Sequence, residues 1–262
     1  MPVQFLQALT SPHRSMRSDF HLGVYMAFVA GAVNAGGFLA IARYTSHMSG
    51  IVAGIGDDLA LSRLLPVLGG LALLVAFVLG AMTTAIIVSW GRRQAIHSQF
   101  ALPLLVEAFL LLIFGFVGDH LSFYVPLTVP AIALLLCFVM GLQNAIVTKA
   151  SSAEIRTTHM TGVITDIGIE LGKLLYWNKS QAANQQYFVE ANRNRLKMHL
   201  ALFLMFLLGG IIGAMSFKKF GFIAVVPLSL SLMIIAALQV LQDIKNIFRR
   251  LKEKKVSDDS NR

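Results

Sequence analysis

Long apolar runs separated by short polar ones fill most of this chain. A helix needs about 20 predominantly apolar residues to cross the hydrocarbon core of a bilayer. Six stretches reach or approach that length: about 22–42, 64–90, 101–118, 121–148, 200–217 and 220–242. The second and fourth hold no Asp, Glu, Lys or Arg, and the third carries Glu107. Backbone polar groups in lipid must be satisfied within the segment, which predicts helices. The short alternating segments of a β-barrel are missing from the pattern. Two further segments, 45–60 and 157–175, are amphipathic. Their apolar residues recur at helical spacing: Met48, Ile51, Val52, Ile55 and Leu59, then Met160, Val163, Ile164, Ile167 and Leu171. The pattern predicts an all-α integral membrane protein with six transmembrane helices and two amphipathic or half-inserted helices.

The two amphipathic segments are nearly the same sequence. "TSHMSGIV" begins at Thr45 and "TTHMTGVI" at Thr157. Laid over one another without gaps, 45–59 and 157–171 share Thr45, His47, Met48, Gly50, Ile55, Gly56 and Leu59 as identities. Ser/Thr, Ile/Val and Asp/Glu exchanges fill five more positions. Upstream, "GAVNA" at Gly31 matches "GLQNA" at Gly141, and downstream "GAM" recurs at Gly80 and Gly213. The chain therefore reads as one membrane domain made of two repeats, about 20–118 and 121–242, followed by a basic tail over 243–262. Each repeat holds three spans, an odd number, so the second copy enters the membrane the opposite way up. Inverted repeats of this kind are common in secondary transporters, with the binding site near the midplane.

Charge sets the orientation. Only 13% of residues are charged against 56% hydrophobic, with a mean hydropathy of +0.70, well away from a soluble domain. The net charge of +9 is spread between and after the apolar runs, so it points to membrane topology and not to nucleic acid. With six spans and a cytoplasmic N-terminus, only Arg43, Arg63, Lys218 and Lys219 of the 22 basic residues lie outside. Eight spans would move Arg63 inside but Arg92, Arg93, Lys149 and Arg156 outside, which the positive-inside rule disfavours. Both termini are thus expected in the cytoplasm. The apolar run after Asp19 is too long for a signal-peptide core, which predicts an uncleaved first span. The single Cys137 excludes an internal disulfide and a thiolate metal site.

The candidate chemistry lies in the motifs. A Thr or Ser ahead of each amphipathic helix is a natural N-cap, and Gly50 and Gly162 admit close approach of a backbone or ligand. A helix N-terminus aimed into the protein favours acceptors and anions. The candidate solute-binding residues are therefore Asn34, Thr45, His47, Ser49 and Gly50, with Asn144, Thr157, His159, Thr161 and Gly162 in the second half. Helix packing through small residues, and amide bonds from Asn34 and Asn144 to neighbouring helices, are the structural alternative. Glu107 and Asp166 are candidates for ion or proton coupling; Glu107 alternatively pairs with Arg92 or Arg93 near the interface. No nucleotide-binding, zinc-protease or serine-hydrolase motif is present. The stretch 176–199 reads as a cytoplasmic loop or surface helix, a solvated connector ahead of a partner-binding element.

The pattern Gly-x-x-Asn-Ala, then Thr-x-His-Met-Ser/Thr-Gly, and again "GLQNA…RTTHMTG", resembles the YoaK-like family of bacterial multispan membrane proteins over about residues 20–242. In that family the first half usually reads closer to Asp-Ala and Met-Thr-Gly-Asn. Here Asn34–Ala35 and Met48-Ser49-Gly50-Ile51 stand instead, without that carboxylate and amide. The resemblance implies a bacterial inner-membrane location and brings no established activity. The expected function is transport or permeation of a small polar or anionic solute through a midplane site built from both motifs. The alternatives are a non-transporting scaffold or assembly protein, and an intramembrane enzyme using His47 and His159 as a pair. The expected partners are the bilayer and a small-molecule solute. No enzymatic activity, cofactor, metal or nucleic acid is expected, and a homo-oligomer is left open.

Overall fold

The computed structural model describes residues 16–41, 44–94, 96, 98–120, 125–151, 157–176 and 189–260. Among these every regular element is helical: α1 (Met16–Ile41), α2 (Met48–Ala60), α3 (Leu64–Arg93), α4 (Ala101–His120), α5 (Val125–Ala150), α6 (Met160–Leu175), α7 (Arg193–Phe220) and α8 (Val226–Ser260). A 3-10 turn, Gly221–Val225, joins α7 to α8. Gly221 turns the chain there with φ +63°, a conformation a side chain would strain. Four stretches are long and apolar enough to cross a membrane: Phe20–Leu39, Leu64–Arg93, Val129–Ala150 and Arg193–Lys245. The last takes in α7, the turn and much of α8. Ala101–Phe116 is a shorter apolar helix.

The packing comes in matched pairs. α1 packs most extensively on α7, and α3 on α5; α2 lies along α3, and α6 along α7. Glycines make the two main crossings close. A Cβ on Gly31 of α1 would overlap the Phe206 carbonyl oxygen of α7, and one on Gly209 would overlap that of Phe28. At the other crossing, Gly141 of α5 abuts the Phe77 carbonyl of α3, and Gly80 that of Phe138. Small residues let helix backbones approach in this way, where lipid supplies no hydrophobic drive between helices. These contacts pair Gly80 with Gly209, one helical turn before the Gly213 that the shared "GAM" suggests. Tertiary contact decided this register: Thr84 donates to the Leu142 carbonyl at 3.0 Å, and Gly213 lies against the corresponding Ala32.

The core is apolar and centred on α1, α4 and α5, with Leu22, Met26, Leu104, Leu111, Leu136 and Met140 among its fully buried side chains. The 94–100 connection and the far part of α8 share one end of the bundle, because the Ser98 N–H donates to Asp243 Oδ2 at 2.6 Å. Gly118 of α4 lies against Phe222 at the opposite end. Part of the segment read as a connector, 193–199, is the start of α7, capped by the Asn192 side chain accepting from the Arg195 N–H at 3.0 Å.

Candidate functional site

Each motif folds back on the helix before it. After α1 ends, Ser46 returns to the level of Asn34, whose Oδ1 accepts from the Ser46 N–H at 3.2 Å and the Ser46 hydroxyl at 3.0 Å. In the second half Asn144 Oδ1 accepts from the Thr158 hydroxyl at 2.6 Å. The two asparagines thus hold their own motif segments, not a distant helix. Thr45 and Thr157, the residues just before these hydroxyls, are buried at 2% and 0% exposure. Neither hydroxyl has a hydrogen-bond partner among the described residues. A buried hydroxyl left unpaired costs on the order of 1–3 kcal/mol, so each is a candidate donor to an acceptor.

The helices themselves start one residue later than a Thr or Ser cap requires. His47 and His159 are the N-cap residues, and neither side chain makes a capping hydrogen bond. Each imidazole instead lies over the glycine three residues on. A Cβ on Gly50 would stand 2.6 Å from His47 Nδ1, and one on Gly162 would stand 2.7 Å from His159 Cδ2. This explains the spacing His-x-x-Gly in both motifs: the ring occupies the room that a side chain at the third helical position would take. The first backbone N–H groups of such a helix have no partner inside it. At α2 the bond from Ile51 N–H to the His47 carbonyl, at 3.2 Å, is the first of the regular ladder.

Thr45, His47 and Gly50 line a cavity of about 350 Å³ between the end of α1, α2, α3 and α5. Its other walls include the stacked rings of Phe38 and Tyr44, with Asp58 on α2, Pro66 and Gly70 on α3, and Ala133 and Cys137 on α5. Cys137 stands halfway along α5, so the cavity reaches the middle of that helix. Second-motif residues take no part in lining it. Ser49 and Thr161 are exposed and point away from this space.

The second half is built differently at the same place. Asp166 of α6 lies 3.6 Å from Arg195 Nη2 and 3.5 Å from His199 Nε2, both on α7. Glu170 accepts from Lys173 Nζ at 2.9 Å and from the Asn192 N–H at 2.7 Å. Those contacts, Lys173 first, hold the Glu170 carboxyl below its ordinary range. Asp166 is therefore a member of an ionic cluster that fastens α6 to α7. Glu107 departs from the interfacial reading: it is fully buried, and neither carboxyl oxygen has a hydrogen-bond partner among the described residues. Arg92 and Arg93 are exposed at the end of α3. Asp58, Glu170, Arg195 and His199 were not singled out from the sequence. The Asp58/Glu170 exchange in the aligned repeat was the available signal.

Apolar helices of spanning length, with polar groups gathered at helix breaks inside them, define a helical multi-pass membrane protein. The chain belongs to the family described as Protein of unknown function (DUF1275), which matches residues 22–238. It is similar to the UPF0700 transmembrane protein YoaK of Bacillus subtilis (strain 168), 26% identical over 157 residues, covering 60% of this chain and 68% of that protein. No solved structure matches it.

Proposed function

We propose that this protein moves a small polar or anionic solute across the bacterial inner membrane, and that the solute binds in the cavity at the start of α2. The observation that carries the reading is the Thr45 hydroxyl, buried and without a partner among the described residues, on the wall of a cavity that reaches the middle of α5. An acceptor on the solute would take that hydroxyl and face the positive end of the α2 dipole. Polar vacancies at membrane depth are expensive, and function is the usual reason for keeping them.

The proposed architecture is six spans in two inverted repeats, with α2 and α6 as half-inserted helices and both termini cytoplasmic. Its support is the matched packing of α1 on α7 with α5 on α3, and the paired Asn34–Ser46 and Asn144–Thr158 bonds. The stretch Arg193–Lys245 has 53 residues, about 80 Å as helix, far more than one crossing needs, and it turns at Gly221. An enzyme using His47 and His159 as a pair is less well supported, since α2 and α6 pack on different helices.

Gly54 lines the cavity, and a Cβ there meets nothing within 4 Å. A Gly54→Cys variant in a Cys137→Ala background therefore tests for water without crowding the site. A charged thiol reagent should label it in sealed vesicles from at least one face, and a transported solute should slow the labelling. Lack of reaction from both faces in folded protein would refute a solute pathway through this cavity.

A further inference from the structure

We propose that the solute taken by this cavity carries a cation, a primary amine or guanidinium, and that Asp58 receives it. The inference rests on the reading of the cavity as a solute site and adds the chemical class. Three observations converge on it.

The first is the comparison between halves. The repeat sets Asp58 opposite Glu170 and Gly54 opposite Asp166. The helix register fixed by Gly80 and Gly209 sets Pro66 opposite Arg195 and Gly70 opposite His199. The second half thus fills this place with its own cations, Lys173 on Glu170 and Arg195 on Asp166, and sets the His199 ring 3.5 Å from the same aspartate. The first half has a proline and glycines there, and a cavity of about 350 Å³. Its remaining carboxylate, Asp58, has no ion pair or hydrogen bond among the described residues, and Leu61 stands where the second half has Lys173. A solute cation would complete in the first half the pairing that the second half makes internally.

The second observation is the wall. Phe38 and Tyr44 stack with centroids 4.5 Å apart and line the same space. Aromatic faces attract ammonium and guanidinium groups, more strongly as water is excluded. The third is the lining as a whole: among the described residues it contains a carboxylate and no lysine or arginine. The buried, unpartnered Thr45 hydroxyl lies in the same cavity and gives such a solute a second point of attachment for an acceptor group.

The test compares propylammonium, guanidinium, propionate and propionamide by calorimetric titration of the purified full chain. Propylammonium and guanidinium should bind, with the other two at least tenfold weaker. Asp58→Asn should weaken both cations at least tenfold, while Asp57→Asn, next door and outside the cavity, should leave them unchanged. Leu61→Lys changes an exposed residue and copies the Lys173–Glu170 spacing, so it should compete for Asp58 and weaken both cations several-fold. Binding of propionate or propionamide in preference to the cations would overturn the assignment and leave a polar-solute site standing. Cation binding unaffected by both Asp58→Asn and Leu61→Lys would also overturn it. Labelling of Gly54→Cys reports separately on whether the cavity is a pathway at all, so failure of that reading is seen independently.

Discussion

Gly141→Ala measures how much of the fold depends on backbone contact at one crossing. The added methyl group would overlap the Phe77 carbonyl oxygen, with the Phe77 Cα 3.0 Å away. Both obstacles are backbone, so no side chain can swing aside, and α3 and α5 must part. In a helix interior, Ala is intrinsically favoured over Gly by about 0.8–1 kcal/mol. Overpacking of a tight contact costs about 1–3 kcal/mol, and the parted helices also forfeit dispersion and Cα–H···O contacts along the crossing. We expect net destabilisation of about 1–3 kcal/mol, since a rigid neighbour places this site at the upper end of that cost. Gly69→Ala, on the exposed face of the same α3 with nothing within 4 Å of its Cβ, is the control. It should be neutral or stabilising by up to about 1 kcal/mol. The assay is reversible unfolding in mixed micelles with increasing denaturing detergent, or thermal unfolding at matched lipid. Gly31→Ala should repeat the result at the α1–α7 crossing, where the same overlap meets the Phe206 carbonyl. If Gly141→Ala and Gly69→Ala gave equal stability, the close crossing would not be a stabilising feature, and the paired-glycine account of the architecture would fail.

Gly50→Ala should push the His47 ring from its seat, lowering solute uptake at least tenfold while expression and membrane insertion stay near wild type; flux in vesicles checks it. Glu107→Gln replaces a buried carboxyl that no described group pairs; such a group is kept neutral in an apolar core, so the amide should leave stability within about 1 kcal/mol of wild type. Thermal unfolding reads that, and a clear loss of stability would mean that the carboxylate has a partner after all. The Glu170 contacts should make the α6–α7 junction acid-sensitive. Its folded carboxyl lies below the ordinary value of 4.5, so the stabilisation is complete above that value and is lost as pH falls through the folded one. Hydrogen exchange in 160–175 should accordingly rise at low pH, and Glu170→Gln should abolish the difference.

The sequence by itself determined the helices and the motifs, because both depend on local spacing. Apolar runs of about 20 residues have one outcome in lipid, and the described residues of these runs are helical, with four stretches long and apolar enough to cross a membrane. The repeated octapeptide located α2 and α6 within three residues of their observed starts, since apolar residues at helical spacing need no knowledge of the neighbours. The N-cap was misread because the competition among Thr45, Ser46 and His47 is settled by Asn34, which draws the Ser46 hydroxyl away from capping. The one-turn register between Gly80 and Gly209 likewise depends on which carbonyl lies opposite, and nothing in "GAM" says that. The candidate site is the same case. Thr45, His47 and Gly50 were legible as a motif, but the cavity is completed by Pro66 and Gly70 of another helix, where Gly70 admits the Ile55 side chain of α2. Asp166 reads alone as a proton or cation site, and only the approach of α7 makes it the partner of Arg195 and His199. Pairing between distant segments is set by packing, which the order of residues along a single helix does not encode.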